Sequence, residues 1–366
     1  MLPKMKAIIL AGGKATRLRP LSCNTAKAML PVLNRPFLEH LIGYLKKYNI
    51  HDIILTLGYL PEQTQGYFGD GGKFGVEITY LVEDFPLGSA GAVKNAEKLW
   101  DSSFIVFNGD IFTDLDLTAM IALHHDKNAI VTIALTPVDN PTIYGVVETD
   151  SQGRVKRFKE KPSWDEVTTK MINAGIYILE PEILNYIPPE VFFTFERDVF
   201  PAAIERGQAI YGYPFEVYWI DIGTPEKYLR LNHDLLHRYF GDKGVKFEGG
   251  GFVHPSAQIE GPVIIGDGCF IDKNCVIKGP VAFGSGCQIE EGATVEGAVL
   301  WQNCKVSKRA KLRNCVLASN CYVGEGSEVW DNCVLGDNVR IGEGNRLHQN
   351  VRIWPDKSME PNTISF

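Results

Sequence analysis

Ala7-Ile8-Ile9-Leu10-Ala11-Gly12-Gly13-Lys14-Ala15-Thr16-Arg17-Leu18-Arg19-Pro20 opens the argument, and Ala26-Lys27-Ala28-Met29-Leu30-Pro31-Val32 follows it closely. A short apolar run, β-branched at its centre, leads into two glycines and then into basic residues. α/β proteins build phosphate sites in this way. The strand ends in a loop of bare backbone amides, and cations neutralise the anion that sits there. Two commoner phosphate loops are excluded. No G-x-x-x-x-G-K-[ST] string is present, and Gly12-Gly13 does not fit G-x-G-x-x-G.

Outward from this stretch, strand-like and helix-like segments alternate to about residue 235. Residues 53–57, 76–80, 104–107 and 130–135 are β-branched, apolar runs and read as strands. Residues 37–48 and 91–99 carry apolar side chains at helical spacing. The alternation predicts an α/β fold with a doubly wound, mostly parallel sheet. Ligands then bind at the carboxyl ends of the strands, where Gly12-Gly13 lies. Residues 226–239 read as a last helix, and Gly249-Gly250-Gly251 punctuates the join that follows. The expected division is 1–245 and 246–366.

From residue 251 the pattern changes. Val253, Ile259, Ile265, Ile271, Ile277, Phe283, Ile289 and Val295 recur every sixth residue. After a step of five come Leu300, Val306 and Leu312; after another, Leu317, Val323, Val329, Leu335, Ile341, Leu347 and Ile353. This is a hexapeptide β-helix repeat with room for about six coils of three hexads. Seven of the eight cysteines stand two residues before an anchor, on the same face of the strand. They read as compact interior hydrophobes, since no C-x2-C metal spacing occurs. Reduced thiols fit a cytoplasmic location.

The 366 residues suffice for two domains, and 45% hydrophobic with 22% charged is ordinary globular composition. A formal charge of -7 argues against nucleic acid or an anionic membrane as partner. No run approaches the length of a spanning helix. The first strand begins within about six residues of the start, which leaves no room for a signal peptide.

The opening stretch resembles the signature of the sugar-1-phosphate nucleotidyltransferases, A-G-G-x-G-T-R-L-x-P-L followed by P-K-P-M-x-P-V. Later segments match in order: Phe107-Asn108-Gly109-Asp110, Tyr144-Gly145-Val146-Val147, Phe158-Lys159-Glu160-Lys161-Pro162, Asn173-Ala174-Gly175-Ile176-Tyr177 and Trp219-Ile220-Asp221-Ile222-Gly223-Thr224. The resemblance covers nearly the whole chain and is greatest to mannose-1-phosphate guanylyltransferases, which carry a C-terminal left-handed β-helix. Val351-Arg352-Ile353-Trp354-Pro355-Asp356-Lys357 is similar to that group's C-terminal region.

The resemblance implies attack of a sugar-1-phosphate oxygen on the α-phosphorus of an NTP, with pyrophosphate leaving. Such a site works by positioning and electrostatics. Leu10, Ala11, Gly12, Gly13 and Gly88 would cradle the nucleotide. Arg17 would contact the triphosphate and leaving pyrophosphate, and Lys27 would help to hold them. On its own, Asp110 reads equally as a magnesium ligand or a turn cap; the resemblance implies Mg2+, with Asp221 as second ligand. Lys161 would bind the sugar phosphate and Glu160 sugar hydroxyls. Gly145 would let the sugar approach the backbone, and Asn173 would read a hydroxyl. Glu83 falls where this family reads the base. A carboxylate accepts from both the ring N–H and the amino group of guanine, which favours GTP. The implied product is GDP-mannose.

The chain departs from the pattern at Ala15, where the family has glycine, and a negative φ is expected there. A positive φ would cost alanine roughly 1–2 kcal/mol. Ala26 and Ala28 replace prolines, which removes roughly 0.4–1 kcal/mol of preorganisation around Lys27. Two alternatives share the scaffold: a glucose-1-phosphate thymidylyl- or uridylyltransferase, and a non-catalytic regulatory relative. A β-helix acyltransferase would need an extruded loop and a catalytic histidine. The hexads run uninterrupted, and His254 and His348 each simply follow an anchor. The β-helix is expected instead to mediate homo-oligomer assembly.

Overall fold

Ala7, Ile8 and Ile9 have no exposed surface, and a strand buried on both faces belongs in the middle of a parallel sheet. In the computed structural model, which describes residues 5–363 and 365, Lys6–Ala11 forms such a strand, β1. Each fully buried Ile contributes roughly 1.5–3 kcal/mol. The chain forms two compact units, one of residues up to 14 with 38–221, the other of residues 15–37 with 222–366.

In the first unit, β1 is flanked by parallel strands β2 (Asp52–Leu57) and β4 (Phe104–Asn108), and β2 pairs in turn with β3 (Glu77–Val82). The chain runs from β1 outward to β2 and β3, then returns to β4 on the other side of β1. That reversal is a topological switch point, the usual place for a ligand in an open α/β sheet. Helix α1 (Phe37–Lys47) stands where the apolar spacing predicts it, while α2 (Gly88–Asn95) begins three residues earlier than the expected 91–99 and gives way to a 3-10 turn at Glu97–Leu99.

The second half of the sheet is mostly antiparallel, the exception being a parallel pairing of its last strand. Short β5 (Ile111–Thr113) follows β4; then come β6 (Val131–Pro137), β7 (Gly145–Thr149), β8 (Val155–Glu160), β9 (Met171–Leu179), β10 (Ile210–Pro214) and β11 (Trp219–Asp221). Strand β9 joins the halves, running antiparallel to β4, β6 and β7. The resulting mixed sheet has nine strands in the order β8-β7-β9-β4-β1-β2-β3, with β6 attached beside β9 and β10 pairing with β6. Strands β5 and β11 form a separate antiparallel pair.

The second unit is built around a left-handed β-helix with three parallel sheets of seven, seven and six strands. The anchors Ile265 to Leu347 line its core, with the seven repeat cysteines beside them, all seven buried and free. The two five-residue steps make two coils of 17 residues among coils of 18: Phe283 pairs with Leu300, and Leu300 with Leu317. Several coils turn corners at asparagines with positive φ, among them Asn303, Asn320 and Asn338. Asparagine tolerates that conformation better than other non-glycine residues. Asn303 Nδ2 donates to Asn320 Oδ1 (3.3 Å), and Asn320 Nδ2 to Asn338 Oδ1 (3.0 Å), so the corners form a ladder.

Helix α3 (Pro225–Phe240) packs in this unit between the coils and the segment 15–37. Its Tyr228 hydroxyl donates to Pro31 O and accepts from Trp301 Nε1 (2.9 Å). Its Asn232 Oδ1 accepts from Leu33 N at 3.0 Å. Ala15 corrects the expectation of a negative φ: it sits at φ 48°, ψ 44°. The turn imposes this, because the Ala15 carbonyl accepts from Leu18 N (3.0 Å) and Ser22 Oγ (2.7 Å).

Candidate active site

The parallel register carries four strand ends to one edge of the sheet. Ala11 pairs with Leu57, Leu57 with Val82, and Leu10 with Asn108. The residues that follow, Gly12-Gly13, Gly58, Glu83 and Gly109-Asp110, therefore emerge together. Gly12, Gly13, Gly58 and Glu83 line a cavity of about 700 Å³ together with Leu10, Gly88 and Asn108, the residue that precedes Gly109-Asp110. Five of the six nucleotide residues expected from sequence line this cavity; Ala11, half-buried, ends β1 beside it.

Glu83 lies directly over the glycine loop. A Cβ on Gly12 would stand 3.4 Å from Glu83 Oε1, so glycine leaves room for the carboxylate. Glu83 Oε2 accepts from Leu87 N at 3.3 Å. Burial nonetheless pushes the Glu83 pKa above the ordinary carboxylate value, the Leu87 bond opposing it. Gly88 adopts φ 73°, and a Cβ there would lie 2.5 Å from Phe193 O. That carbonyl accepts from Ala90 N and Gly91 N at 3.0 and 3.1 Å, so it caps the start of α2.

Asp110 and Asp221 come together through strand pairing. In the antiparallel β5–β11 pair, Asp221 stands opposite Ile111, the residue after Asp110. Asp221 is buried and Asp110 half-buried. The Tyr144 hydroxyl donates to Asp221 Oδ1 at 2.7 Å. The Tyr144 carbonyl accepts from Lys161 N at 2.9 Å. One residue thus links the aspartate to the F-x-E-K-P segment.

Gly145 pairs with Glu160 across β7 and β8. A Cβ on Gly145 would come within 2.7 Å of Phe158 Cζ and 2.9 Å of Glu160 Oε2, so glycine makes room for those side chains. Lys161 is exposed, with Nζ 3.6 Å from Glu160 Oε1. Asn173 accepts from Gly175 N at 2.9 Å and donates to Tyr177 Oη at 2.7 Å. Tyr177 then donates to Glu196 Oε1 (3.0 Å), while Ser89 Oγ donates to Glu196 Oε2 (2.9 Å). Burial, then the neighbouring Glu196 charge, raises the Glu160 pKa.

Glu196 was not expected from sequence, and Tyr177 and Ser89, which fall inside matching segments, were assigned no role there. Glu196 and Ser89 line the 700 Å³ cavity, and Glu196 sits on a single π-helical turn, Phe195–Val199. Such turns cluster at functional sites, but they leave no periodic signal in a sequence.

Arg17 and Lys27 belong to the second unit. Arg17 is exposed, on the turn Thr16–Leu18 anchored by fully buried Leu18. Lys27 begins the turn Lys27–Met29, closed by Met29 N donating to Ala26 O at 2.8 Å. Ala26 and Ala28 are buried on either side of it.

Residues 6–238 match the family model for nucleotidyl transferases. The chain belongs to the nucleotidyl transferase family. Residues 247–347 match the model for the left-handed β-helix domain of the EIF2B epsilon subunit. The chain is 38% identical over 274 residues to the mannose-1-phosphate guanylyltransferase of Mycobacterium tuberculosis, covering 72% of this chain and 76% of that protein. It is 36% identical over 286 residues to the UTP–glucose-1-phosphate uridylyltransferase of a Synechocystis species, covering 72% and 74%. The structure of HddC from Yersinia pseudotuberculosis complexed with GMP-PN is similar at 32% identity and a TM-score of 0.55, over 63% of this chain and 99% of that one. This nucleotidyltransferase is thus similar to enzymes named for different bases.

Proposed function

We propose that this nucleotidyltransferase joins GTP and mannose-1-phosphate to give GDP-mannose and pyrophosphate. The observation that supports the reading is the β5–β11 register, which brings Asp221 opposite Ile111, the residue that follows Asp110 in the chain. Hard-oxygen carboxylates carried on these paired segments suit Mg2+, which is commonly held by one or two protein carboxylates together with substrate phosphates. No larger group of His, Cys, Asp or Glu that could hold a metal occurs among the described residues. When bound, Mg2+ would supply charge neutralisation at the phosphates.

The chain's own residues do the remaining work. The Gly12-Gly13 loop takes the nucleotide, and Glu83 accepts from guanine's ring N–H and amino group. Uracil or thymine would turn carbonyl oxygens toward the same carboxylate. Lys161 binds the sugar phosphate, while Glu160 and Asn173 hold sugar hydroxyls, with Glu196 behind Asn173 through Tyr177. Arg17 and Lys27 are the cations of the triphosphate, and Arg17's planar fork suits leaving pyrophosphate. Residues 1–245 carry the reacting groups. Residues 246–366 assemble copies of the chain. Free, buried repeat cysteines fit a cytoplasmic location, and no helix among the described residues is long and apolar enough to cross a membrane.

A pyrophosphate-release assay crossing four NTPs with mannose- and glucose-1-phosphate tests the reading. Activity confined to GTP and mannose-1-phosphate supports it. Preference for UTP or dTTP with glucose-1-phosphate transfers the chain to that branch, and silence from folded protein transfers it to the regulatory relatives.

A further inference from the structure

We propose that Arg352, on the final turns of the β-helix, is a positioning residue for the loop that carries Arg17. The proposal rests on the reading of Arg17 as a triphosphate cation.

Arg352 lies on the strand Arg352–Ile353, which pairs with Val334–Leu335. Ile353 packs against the β-helix core, so its neighbour Arg352 projects from the other face. Its guanidinium meets three acceptors. Nη1 donates to Arg17 O (3.3 Å) and Arg19 O (3.5 Å), while Nη2 donates to Glu226 Oε1 (2.9 Å). The two carbonyls flank Leu18, which is fully buried. The clamp therefore grips the main chain of Arg17 itself and of the residue just past its anchor. Glu226, near the start of α3, balances the charge.

A second tie lies close by in the chain. Asn24 Nδ2 donates to Asp337 Oδ2 at 3.3 Å, and Asp337 Oδ1 accepts from Ser319 N at 3.1 Å. A third holds the segment's far end, where Asn34 Nδ2 donates to Phe283 O at 2.8 Å. Of the three, only Arg352 touches the residue with a proposed catalytic role. A loop that includes left-handed Ala15 has a conformation its own sequence does not favour. An external clamp on its carbonyls supplies what local propensity does not. The planar fork reaches the two carbonyls from one nitrogen and the carboxylate from the other, a spread that a lysine ammonium, with all its donors on one nitrogen, reproduces poorly. This gives the Val351–Lys357 motif a part in nucleotide handling rather than in closing the coil alone.

The test uses the full chain with the variants R352A, R352K, R17K and R17K/R352A. The expected result for R352A is a fall in kcat/KM for the NTP of roughly ten- to hundredfold. The KM for the sugar-1-phosphate and the melting midpoint stay close to wild type, and R352K recovers only part of the loss. In the R17K background, R352A adds little, because both changes act through one group. Full NTP kinetics in R352A beside impaired R17K overturns the proposal, as do losses that simply multiply in the double variant. Should R352A fold poorly, the same comparison is made with R352K and R17K/R352K. Unimpaired R17K removes the reading of Arg17, and the clamp's catalytic meaning with it.

Discussion

Tyr144 gives its hydroxyl hydrogen to Asp221 Oδ1 across 2.7 Å, while its own carbonyl accepts from Lys161 N. A carboxylate fixed in this way keeps its lone pairs aimed in one direction. Partners that orient metal ligands commonly contribute ten- to hundredfold in metal affinity. Tyr144→Phe should therefore raise the Mg2+ concentration at half-maximal rate by roughly tenfold or more. A magnesium titration of the two proteins checks this; identical curves would make the bond purely structural.

Glu83 yields a pH prediction. Burial raises its pKa, so it takes up a proton at a higher pH than an ordinary glutamate. The ionised form is the one that accepts from guanine. Affinity for GTP should hold above the raised pKa and weaken as pH falls through it. Glu83→Gln should lose roughly ten- to hundredfold in kcat/KM for GTP, the worth of hydrogen bonds to a charged group. It should also lose the acid limb of the KM profile. An acid limb that survives in the variant assigns the titration to another group.

Ala15 carries a left-handed backbone that glycine adopts freely. Ala15→Gly relieves roughly 1–2 kcal/mol of strain and gives back roughly 0.4–1 kcal/mol through the more flexible unfolded chain. The net effect should be a small rise in the melting midpoint of the unit containing it, measured by calorimetry. A fall would show that the surrounding bonds already accommodate alanine without strain.

The cysteines differ in access. Cys23 is half-buried, while Cys269, Cys275, Cys287, Cys304, Cys315, Cys321 and Cys333 are buried. Burial raises the pKa of the Cys275, Cys304, Cys315 and Cys333 thiols, which removes the reactive thiolate. Titration with a thiol reagent should find at most one reactive group in the native protein and eight after denaturation. Several fast thiols in the native state would contradict the interior ladder.

Much of the fold was legible because its signals are periodic. Anchors six apart define a β-helix whatever their identity, and the two shortened steps reappear as the two 17-residue coils. The parallel strands were legible as buried β-branched runs. The antiparallel half was less so, because a strand such as β9 has the same composition whichever way its neighbours run. In the site, residues adjacent to glycine or at strand ends were readable. Glu196 was not: it meets Tyr177 and Ser89 only through side-chain bonds from a segment well separated in the chain, and Tyr177's link to Asn173 along one strand carries no sequence signal. The φ of Ala15 was misjudged because closure by Ser22 and Leu18 outweighs alanine's local preference.

The account depends most on Asp110 and Asp221 acting as one pair at the end of the sheet. The direct measurement is pyrophosphate release by Asp110→Asn in saturating Mg2+, alongside its melting midpoint. Nearly all turnover should vanish while the midpoint stays close to wild type. Retained turnover, or a large drop in midpoint that makes Asp110 a structural cap, would contradict it.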